Sequence, residues 1–340
     1  MPPTGARDQP PGYSVGVTWP ITWDDIVAAR RRIATHLSPT PLRHYAALDA
    51  EVGNAIRVLV KHENHLPTNA FKARNALSFM TLLEPAQRTR GVVAATRGNH
   101  GAGLAWAGAE LGVPVVICVP HGNNPEKNAA MRGFGAEVIE AGRDYDEAVE
   151  VAKRLVLERG LVLAHSTNDR DVIAGAGTLG AELCEQAPSL DAVVVAVGGG
   201  SQAVGTLVAA QQLRPNVTVY GVQASAAPAI HDSWHARTRL VTDTANTFAD
   251  GLATRATYDL TWDALREGLT GFVKVSDAAI AEAIRVLLRT THNLAEGAGA
   301  AGLAGLFALR DQLAGKTVAI VLSGSNIDET TLRRVLNREL

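Results

Sequence analysis

The sequence P-T-N-A-F-K-A-R, residues 67 to 74, places Lys72 directly after the aromatic residue Phe71. A lysine amine attacks a carbonyl group when the amine is partly desolvated and near neutral. Taken alone, Lys72 is better explained as an exposed helix charge, because most lysines are solvated. The choice between a nucleophile and a surface charge therefore depends on motifs elsewhere in the chain.

A glycine-rich loop follows the apolar run V-V-V-A-V. Gly198, Gly199, Gly200 and Ser201 lead into a helix-like segment, and converging backbone N–H groups at a helix N-terminus suit a phosphate. A tight strand-to-helix turn also explains one such loop. The loop fits the G-x-G-x-x-A pattern of dinucleotide sites as well, but Gln223 stands where the ribose-binding acid belongs. A phosphate without a ribose is therefore the better prediction.

The loop T-R-G-N-H-G, residues 96 to 101, also follows an apolar strand pattern. It combines a hydroxyl, a guanidinium, an amide and an imidazole with backbone donors at the start of a predicted helix. The residues concerned are Thr96, Arg97, Gly98, Asn99 and His100. Such a set suits an anionic group such as a carboxylate. An ordinary helix cap by Asn99 is the alternative.

The apolar run V-A-I-V-L is followed by Ser323. Its hydroxyl could reach the floor of a cleft, although Ser-Gly is also a common turn. Open α/β sheets bind ligands beyond the carboxyl ends of their strands, so these loops are expected to carry the chemistry. The cofactor whose chemistry uses both a lysine and a phosphate-binding loop is pyridoxal phosphate. The sequence therefore predicts pyridoxal 5'-phosphate at Lys72.

Strand and helix patterns alternate from residue 91 onwards, after an amphipathic helix predicted over residues 22–34 with Thr22 as its N-cap. Strands are predicted at residues 91–96, 114–120, 136–140, 161–165, 191–197, 217–222, 272–275 and 317–322. Strands joined by helical crossovers indicate parallel sheets covered on both faces. The pattern restarts with a helix near residue 178, so we expect two α/β blocks with a cleft between them.

Eight motifs occur in an order that resembles the fold-type II pyridoxal-phosphate enzymes, and within them the branch of threonine/serine dehydratases and serine racemases. The motifs are P-T-P-L, K-H-E-N-H-L-P-T-N-A-F-K-A-R, T-R-G-N-H-G, D-V-I-A-G-A-G-T-L-G-A-E, V-G-G-G-S, T-F-A-D-G-L-A, N-L-A-E-G-A-G-A-A and V-L-S-G-S-N-I-D. The resemblance runs from about Pro39 to Asp328. It implies an α/β, tryptophan-synthase-β-like fold of two lobes, whose parallel and mixed sheets are wrapped by helices.

The resemblance also implies a domain organisation. Residues 21–90 and 166–340 are expected to form a large cofactor-binding domain, and residues 91–165 a small mobile domain. Residues 1–20 are rich in Pro and Gly and are expected to be a flexible tail. The chain ends soon after Ser323, so a C-terminal regulatory domain is not expected, and a homodimer is the assembly that the resemblance suggests.

Site roles follow from the resemblance position by position. Lys72 resembles the lysine that binds the cofactor covalently and later carries the proton at Cα, with Phe71 against the pyridine ring. Asn99 is similar to the asparagine that binds the ring 3′ oxygen. Ser323 matches the hydroxyl that meets the ring nitrogen.

The remaining positions complete this implied site. The loop from Gly198 to Ser201 matches the phosphate cradle, and the loop from Thr96 to His100 matches the segment that closes on the substrate carboxylate. Gly251 and Glu296 resemble positions on the cofactor floor, and Phe248 and Asp250 belong to the same region.

The implied reaction is β-elimination from a β-hydroxy amino acid, which yields a 2-oxo acid and ammonia. L-Threonine or L-serine is the expected substrate, and a bulkier or acidic 3-hydroxy amino acid is the alternative. A β-replacement enzyme resembling cysteine synthase is a rival in the same fold, and an amino-acid racemase is a further one. A non-catalytic ligand sensor and a nicotinamide oxidoreductase are rivals from other classes, the second weakened by Gln223.

Departures from the family pattern bear on the substrate. The family usually reads T-G-S-F-K-x-R-G-A, so Asn69, Ala70 and Asn75 are unusual. Ala70 removes a hydroxyl that the resemblance places beside the cofactor phosphate. Arg97 stands where dehydratases commonly have alanine and racemases have a serine that acts as acid and base. A guanidinium is a poor proton shuttle, so racemisation is disfavoured. Arg97 could instead pair with a substrate carboxylate, and an arginine that points to solvent is the alternative.

Composition limits the partners. The formal net charge of -2 gives no general attraction to nucleic acid or an anionic membrane. The two cysteines, Cys118 and Cys184, form no CxxC pair, which favours a reducing compartment. No signal-peptide pattern or apolar run of about 20 residues is present, so a cytoplasmic enzyme is expected. Gln223 replaces an acid of metal-dependent relatives, and no metal is predicted.

Overall fold

The computed structural model describes residues 19–340, so the expected flexible tail lies, except for its last two residues, outside the described part of the chain. The strands are β1 (Leu42–His44), β2 (Arg57–His62), β3 (Val92–Ala95), β4 (Val115–Val119), β5 (Glu137–Glu140), β6 (Val162–Leu163), β7 (Ala192–Ala196), β8 (Thr218–Ala224), β9 (Gly271–Val275) and β10 (Thr317–Leu322).

The helices are α1 (Trp23–Ile33), α2 (Ala46–Val52), α3 (Lys72–Met80), α4 (Pro85–Arg90), α5 (Asn99–Leu111), α6 (Pro125–Gly133), α7 (Tyr145–Arg159), α8 (Arg170–Gln186), α9 (Ser201–Leu213), α10 (Ala229–Ala236), α11 (Asp259–Gly268), α12 (Asp277–Thr291), α13 (Gly297–Leu309) and α14 (Glu329–Leu336). Short 3-10 helices lie at Glu63–His65 and Asp250–Leu252. The predicted cap of α1 is confirmed, because the Thr22 side chain accepts a hydrogen bond from the backbone N–H of Asp25.

The strands form two sheets. One has six strands in the order β1-β2-β10-β7-β8-β9, and the other has four in the order β5-β4-β3-β6. All neighbouring strands are parallel except β1 and β2. The predicted fold of parallel and mixed sheets wrapped by helices is therefore confirmed, while the strand patterns from residue 91 onwards did not include β1 and β2.

The six-stranded sheet is buried on both faces, as the apolar run of β10 indicates. Val318 and Ile320 point into the core beneath α12 and α13. Ala319 and Val321 point into the opposite core, beneath α8 and α9. The smaller sheet is likewise covered by α5 on one face and by α7 on the other.

Helix α3 lies between the helices of the two sheets, packed against α5 and α8. Glycines make this approach possible: a Cβ atom on Gly103 of α5 would lie 2.7 Å from the carbonyl oxygen of Lys72. A Cβ atom on Gly175 of α8 would lie 2.6 Å from the carbonyl oxygen of Arg74. The start of α3, which carries Lys72, is therefore fixed at the junction of the two lobes.

Helix α8 begins eight residues before the position predicted from the sequence, at Arg170 instead of residue 178. Glycines weaken a helix in isolation, and this part of the chain contains Gly175 and Gly177. In the fold the same glycines admit close neighbours, since a Cβ atom on Gly177 would lie 3.4 Å from the Cα atom of Gly205. Tertiary packing has outweighed the local propensity.

Four buried ionisable side chains join β2, α3 and α8. Arg74 pairs with Glu63 through Nε and Oε2 at 2.7 Å and with Glu182 through Nη1 and Oε1 at 2.6 Å. Lys61 Nζ lies 2.7 Å from Glu182 Oε2. Burial disfavours ionisation of Glu182, but Arg74 and Lys61 outweigh burial and hold the pKa of its carboxyl below the ordinary value. This cluster anchors α3 two residues after Lys72.

Candidate active site

A cavity of about 580 Å³ lies between the two lobes. It opens at the carboxyl ends of strands from both sheets, where α/β folds bind ligands. Most of the site residues singled out from the sequence line it: Phe71, Lys72, Thr96, Arg97, Gly98, Asn99, His100, Gly198, Gly199, Gly200, Ser201, Asp250, Gly251, Glu296 and Ser323. Phe248 packs against the core beneath α12 and α13 instead. Segments separated by up to about 250 residues thus meet in one place.

Lys72 is the first residue of α3, and its side chain reaches the cavity. Its Nζ atom donates a hydrogen bond of 3.0 Å to the carbonyl oxygen of Ser166 and lies 4.8 Å from the centre of the Phe71 ring. Burial lowers the pKa of Lys72 to about 8. An amine with this pKa has a substantial neutral fraction near physiological pH, as a nucleophile requires.

The wall on one side of Lys72 is held by main-chain bonds. The backbone N–H of Phe71 donates to the carbonyl oxygen of Ser323 at 3.0 Å, which joins the start of α3 to the end of β10. Ala70 pairs with Gly324 in an isolated bridge. Ala70 therefore lies next to the chain segment that follows β10 and carries Ser323.

Asn99 belongs to a network of side-chain amides and a carboxylate. Its Nδ2 atom donates to Glu296 Oε1 at 2.6 Å, and its Oδ1 atom accepts from Asn326 Nδ2 at 2.8 Å. The N-cap of α5 is Gly98, without a side-chain cap. Asn99 is thus not an ordinary helix cap. Burial raises the pKa of Glu296, opposed by Lys127 and Asn99.

The glycine loop is shaped by close contacts. A Cβ atom on Gly198 would lie 2.0 Å from the carbonyl oxygen of Gly251, and one on Gly199 would lie 2.1 Å from Thr167 Oγ1. Gly200 has a φ of 99°, which L side chains rarely adopt, and it precedes the first turn of α9. Side chains are excluded here, which leaves room for a phosphate against the backbone N–H groups at the start of α9.

The loop before α5 places its side chains differently from one another. Thr96 Oγ1 accepts from the backbone N–H of Gly98 at 3.2 Å. His100 is buried, with Nε2 3.0 Å from the carbonyl oxygen of Ala164, and burial lowers its pKa to about 3. His100 is therefore neutral and held beside the end of β6, whereas Arg97 is exposed and lines the cavity.

Four cationic side chains line the cavity, and three of them are engaged. Lys72 is bonded to Ser166, Lys127 pairs with Asp250, and Arg255 pairs with Asp146. Arg97 has no side-chain hydrogen bond or ion pair within residues 19–340. It lies close enough to Tyr145 to oppose the effect of burial, which raises the pKa of that phenol to about 12.

Several lining residues were not found from the sequence. Ser166 and Thr167 follow β6, so the rule applied to the other strand ends would have included them. Lys127 on α6 and Tyr145 on α7 carry no such signal. They reach the cavity only because the smaller lobe faces the larger one, and Lys127 bridges to Asp250 across this gap.

Comparison with known proteins identifies the family of this chain. A family model described as pyridoxal-phosphate dependent enzyme matches residues 33–324. The chain belongs to this family. The chain is similar to an L-threonine ammonia-lyase of Thermotoga maritima, with 38% identity over 94% of this chain and 79% of the relative.

Two further relatives in this family differ in the substrate or reaction that their names state. An L-threo-3-hydroxyaspartate ammonia-lyase of a Pseudomonas species is 34% identical over 90% of this chain and 96% of its own. The structure of maize serine racemase superposes with a TM-score of 0.88 at 29% identity, covering 94% of this chain and 98% of that one.

The cavity fits the family's cofactor. A partly neutral lysine, a side-chain-free loop at a helix N-terminus and a hydroxyl at Ser323 suit its aldehyde, phosphate and ring nitrogen respectively. Lys72, the Gly198 to Ser201 loop, Asn99 and Ser323 are the residues that would hold it.

Within residues 19–340, no group of three or more His, Cys, Asp or Glu side chains is placed to hold a metal ion. Gln223 accepts from the backbone N–H groups of Ile230 and His231 at 3.1 and 2.9 Å, so its side chain fastens the start of α10.

Proposed function

We propose that this protein is an ammonia-lyase that converts a β-hydroxy amino acid into a 2-oxo acid and ammonia by β-elimination. The observation that carries the proposal is the amine of Lys72, desolvated to a pKa of about 8 in the same cavity as the glycine loop and the loop from Thr96 to His100. Relatives named as ammonia-lyases of threonine and of threo-3-hydroxyaspartate support it.

The bound pyridoxal phosphate supplies an electron sink for charge that develops at Cα. Lys72 accepts the Cα proton, since its neutral amine lies at the cavity wall beside Ser166. The loop from Thr96 to His100 binds the substrate carboxylate through backbone donors at the start of α5. Ser323 presents a neutral hydroxyl where a carboxylate would stabilise a protonated ring nitrogen, which favours elimination over transamination.

Arg97 and Tyr145 bound the space for the β-substituent. Arg97 is the lining cation without an ion pair in the described chain, and Tyr145 lines the same cavity within reach of its charge. A guanidinium binds a carboxylate with two parallel hydrogen bonds. A substrate with a second carboxylate, or with a β-substituent larger than the methyl group of threonine, therefore suits this end of the cavity. The high pKa of a guanidinium argues against racemisation.

We also propose a cytoplasmic homodimer whose lobe at residues 91–165 moves relative to the rest. Two ion pairs, Lys127 with Asp250 and Asp146 with Arg255, join the lobes across the cavity mouth and would hold the closed form.

Within residues 19–340, no helix is both long and apolar enough to cross a membrane. Sedimentation of the purified protein tests the dimer.

The test is a panel of L-serine, L-threonine, L-threo-3-hydroxyaspartate and L-threo-3-phenylserine, with 2-oxo acid and ammonia both quantified. Arg97→Ala should raise KM for the acidic substrate by about 10-fold to 100-fold, the range for one charged hydrogen-bonded pair. KM for serine should change little, and Arg97→Lys should restore part of the loss because it keeps the charge. Release of a β-substituted amino acid in the presence of thiol, without 2-oxo acid, would replace this proposal with β-replacement.

A further inference from the structure

Asn75 is a buried amide behind the glycine loop. It lies on α3 one turn after Lys72 and is 0% exposed. Its Nδ2 atom lies 3.5 Å from Ser201 Oγ, at the outer limit of a hydrogen bond. Its Oδ1 atom has no hydrogen-bond partner within residues 19–340. The amide is thus directed at the proposed phosphate site and is only half satisfied.

Fold stability alone does not explain an amide at this position. A buried carbonyl oxygen without a donor is unfavourable, and the family pattern has glycine here, which would avoid it. The packing is also tight, because a Cβ atom on Gly175 would lie 3.0 Å from the Cα atom of Asn75. A departure from full hydrogen bonding is expected where a residue serves a ligand.

The chemistry of a phosphate gives this amide a role. A phosphate dianion accepts hydrogen bonds, so the single proton of the Ser201 hydroxyl is most useful when it points into the cavity. The hydroxyl oxygen can then accept from a donor behind it, and Asn75 Nδ2 is placed there. The first turn of α9 has no side-chain cap, which leaves its backbone donors for the same anion.

We propose that Asn75 is a positioning residue for the cofactor phosphate, which donates to Ser201 Oγ and so directs the Ser201 hydroxyl proton at the phosphate. Asn75 acts through Ser201 and does not touch the reacting atoms. The proposal rests on the family's cofactor and not on the substrate, so it can fail while the ammonia-lyase proposal stands.

The experiment compares pyridoxal 5'-phosphate with pyridoxal, which lacks the phosphate. Dissociation constants for both are measured on the full-length apoprotein by absorbance, and their ratio isolates the contribution of the phosphate. Asn75→Ala should weaken binding of the phosphorylated cofactor about three-fold to 10-fold, as expected for one neutral hydrogen bond, and leave binding of pyridoxal within about two-fold. Asn75→Asp should weaken binding of pyridoxal 5'-phosphate relative to pyridoxal further, because a carboxylate replaces the amide donor.

The matched control is Ser78→Ala. Ser78 is also a fully buried polar residue of α3, but its Oγ accepts from Arg32 Nη2 at 3.4 Å, away from the glycine loop. The ratio should be unchanged in this variant. The melting temperature of Asn75→Ala should be equal to or above that of the wild type, because the unsatisfied oxygen is removed.

Equal weakening of both ligands in Asn75→Ala would overturn the proposal and leave Asn75 as a packing residue. Unchanged binding of both ligands in Asn75→Ala would overturn it as well. Asn75→Ala decides alone if Asn75→Asp does not fold.

Discussion

The Nζ atom of Lys72 donates a hydrogen bond of 3.0 Å to the backbone carbonyl oxygen of Ser166. The bond joins the first residue of α3 to the loop that follows β6. It therefore links α3 to the end of a strand of the smaller sheet. A carbonyl oxygen stabilises the protonated amine only partly, and burial lowers the pKa of Lys72 to about 8. The amine is held in position while remaining close to neutrality.

This lowered pKa predicts the pH dependence of cofactor capture. The rate at which the apoprotein reacts with pyridoxal 5'-phosphate should rise with pH and level off above about 8, because only the neutral amine attacks. Stopped-flow absorbance measures the rate, with a free lysine derivative as the control, whose rate should continue to rise towards about pH 10.4. A protein profile that rises as the control does would show that Lys72 is not desolvated.

The lowered pKa of Lys72 also predicts how the free energy of unfolding depends on pH. The unfolded chain binds the Lys72 proton more tightly than the folded apoprotein, so burial of the cation is unfavourable at pH values below about 8. Between that value and the ordinary 10.5, the contribution of this group to the free energy of unfolding should rise with pH. Urea unfolding of the apoprotein and of Lys72→Met measures the difference, which should shrink as pH rises.

The buried cluster around Arg74 predicts a large loss of stability when one carboxylate is removed. Glu182→Gln leaves Arg74 and Lys61 with Glu63 as the remaining carboxylate of the cluster. Breaking a buried pair in this way costs about 3–5 kcal/mol, to be measured as the free energy of unfolding in urea. Because the pKa of Glu182 is lowered by folding, its stabilisation is present above about pH 4.5 and should be lost as pH falls further.

The control for this prediction lies three residues further along the same helix. Glu185 pairs with Arg30 at 2.6 Å, but both side chains are about 40% exposed. Glu185→Gln should therefore change the free energy of unfolding by less than about 1 kcal/mol. Equal losses in the two variants would mean that the buried cluster does not anchor α3.

Asn69 shows why one unusual residue is tolerated. Its φ is 53°, in the left-handed region that favours glycine and, among other residues, asparagine. The family's glycine and this chain's asparagine thus satisfy the same backbone requirement. Asn69→Ala should lower the free energy of unfolding by about 1 kcal/mol, whereas Asn69→Gly should leave it nearly unchanged. A loss in Asn69→Gly as large as that in Asn69→Ala would instead assign the effect to the side-chain contact with Asn326.

The sequence located the site because its residues follow strand ends. Gly198, Asn99 and Ser323 each come after an apolar run, and parallel strands bring such loops to one edge. Lys127 and Tyr145 could not be found in this way, since they depend on how one lobe faces the other. The orientation of His100 could not be predicted from the sequence either, because its hydrogen-bond partner Ala164 is 64 positions away in the chain.

The most direct test of the account is the release of 2-oxo acid and ammonia from a β-hydroxy amino acid by the wild type and by Lys72→Ala, each assayed with added pyridoxal 5'-phosphate. The wild type should release the two products in equal amounts. Lys72→Ala should lose at least about 100-fold to 10,000-fold in turnover, the range for removal of a positioned acid–base group. Equimolar products from Lys72→Ala at the wild-type rate would contradict the assignment of Lys72 and the mechanism built on it.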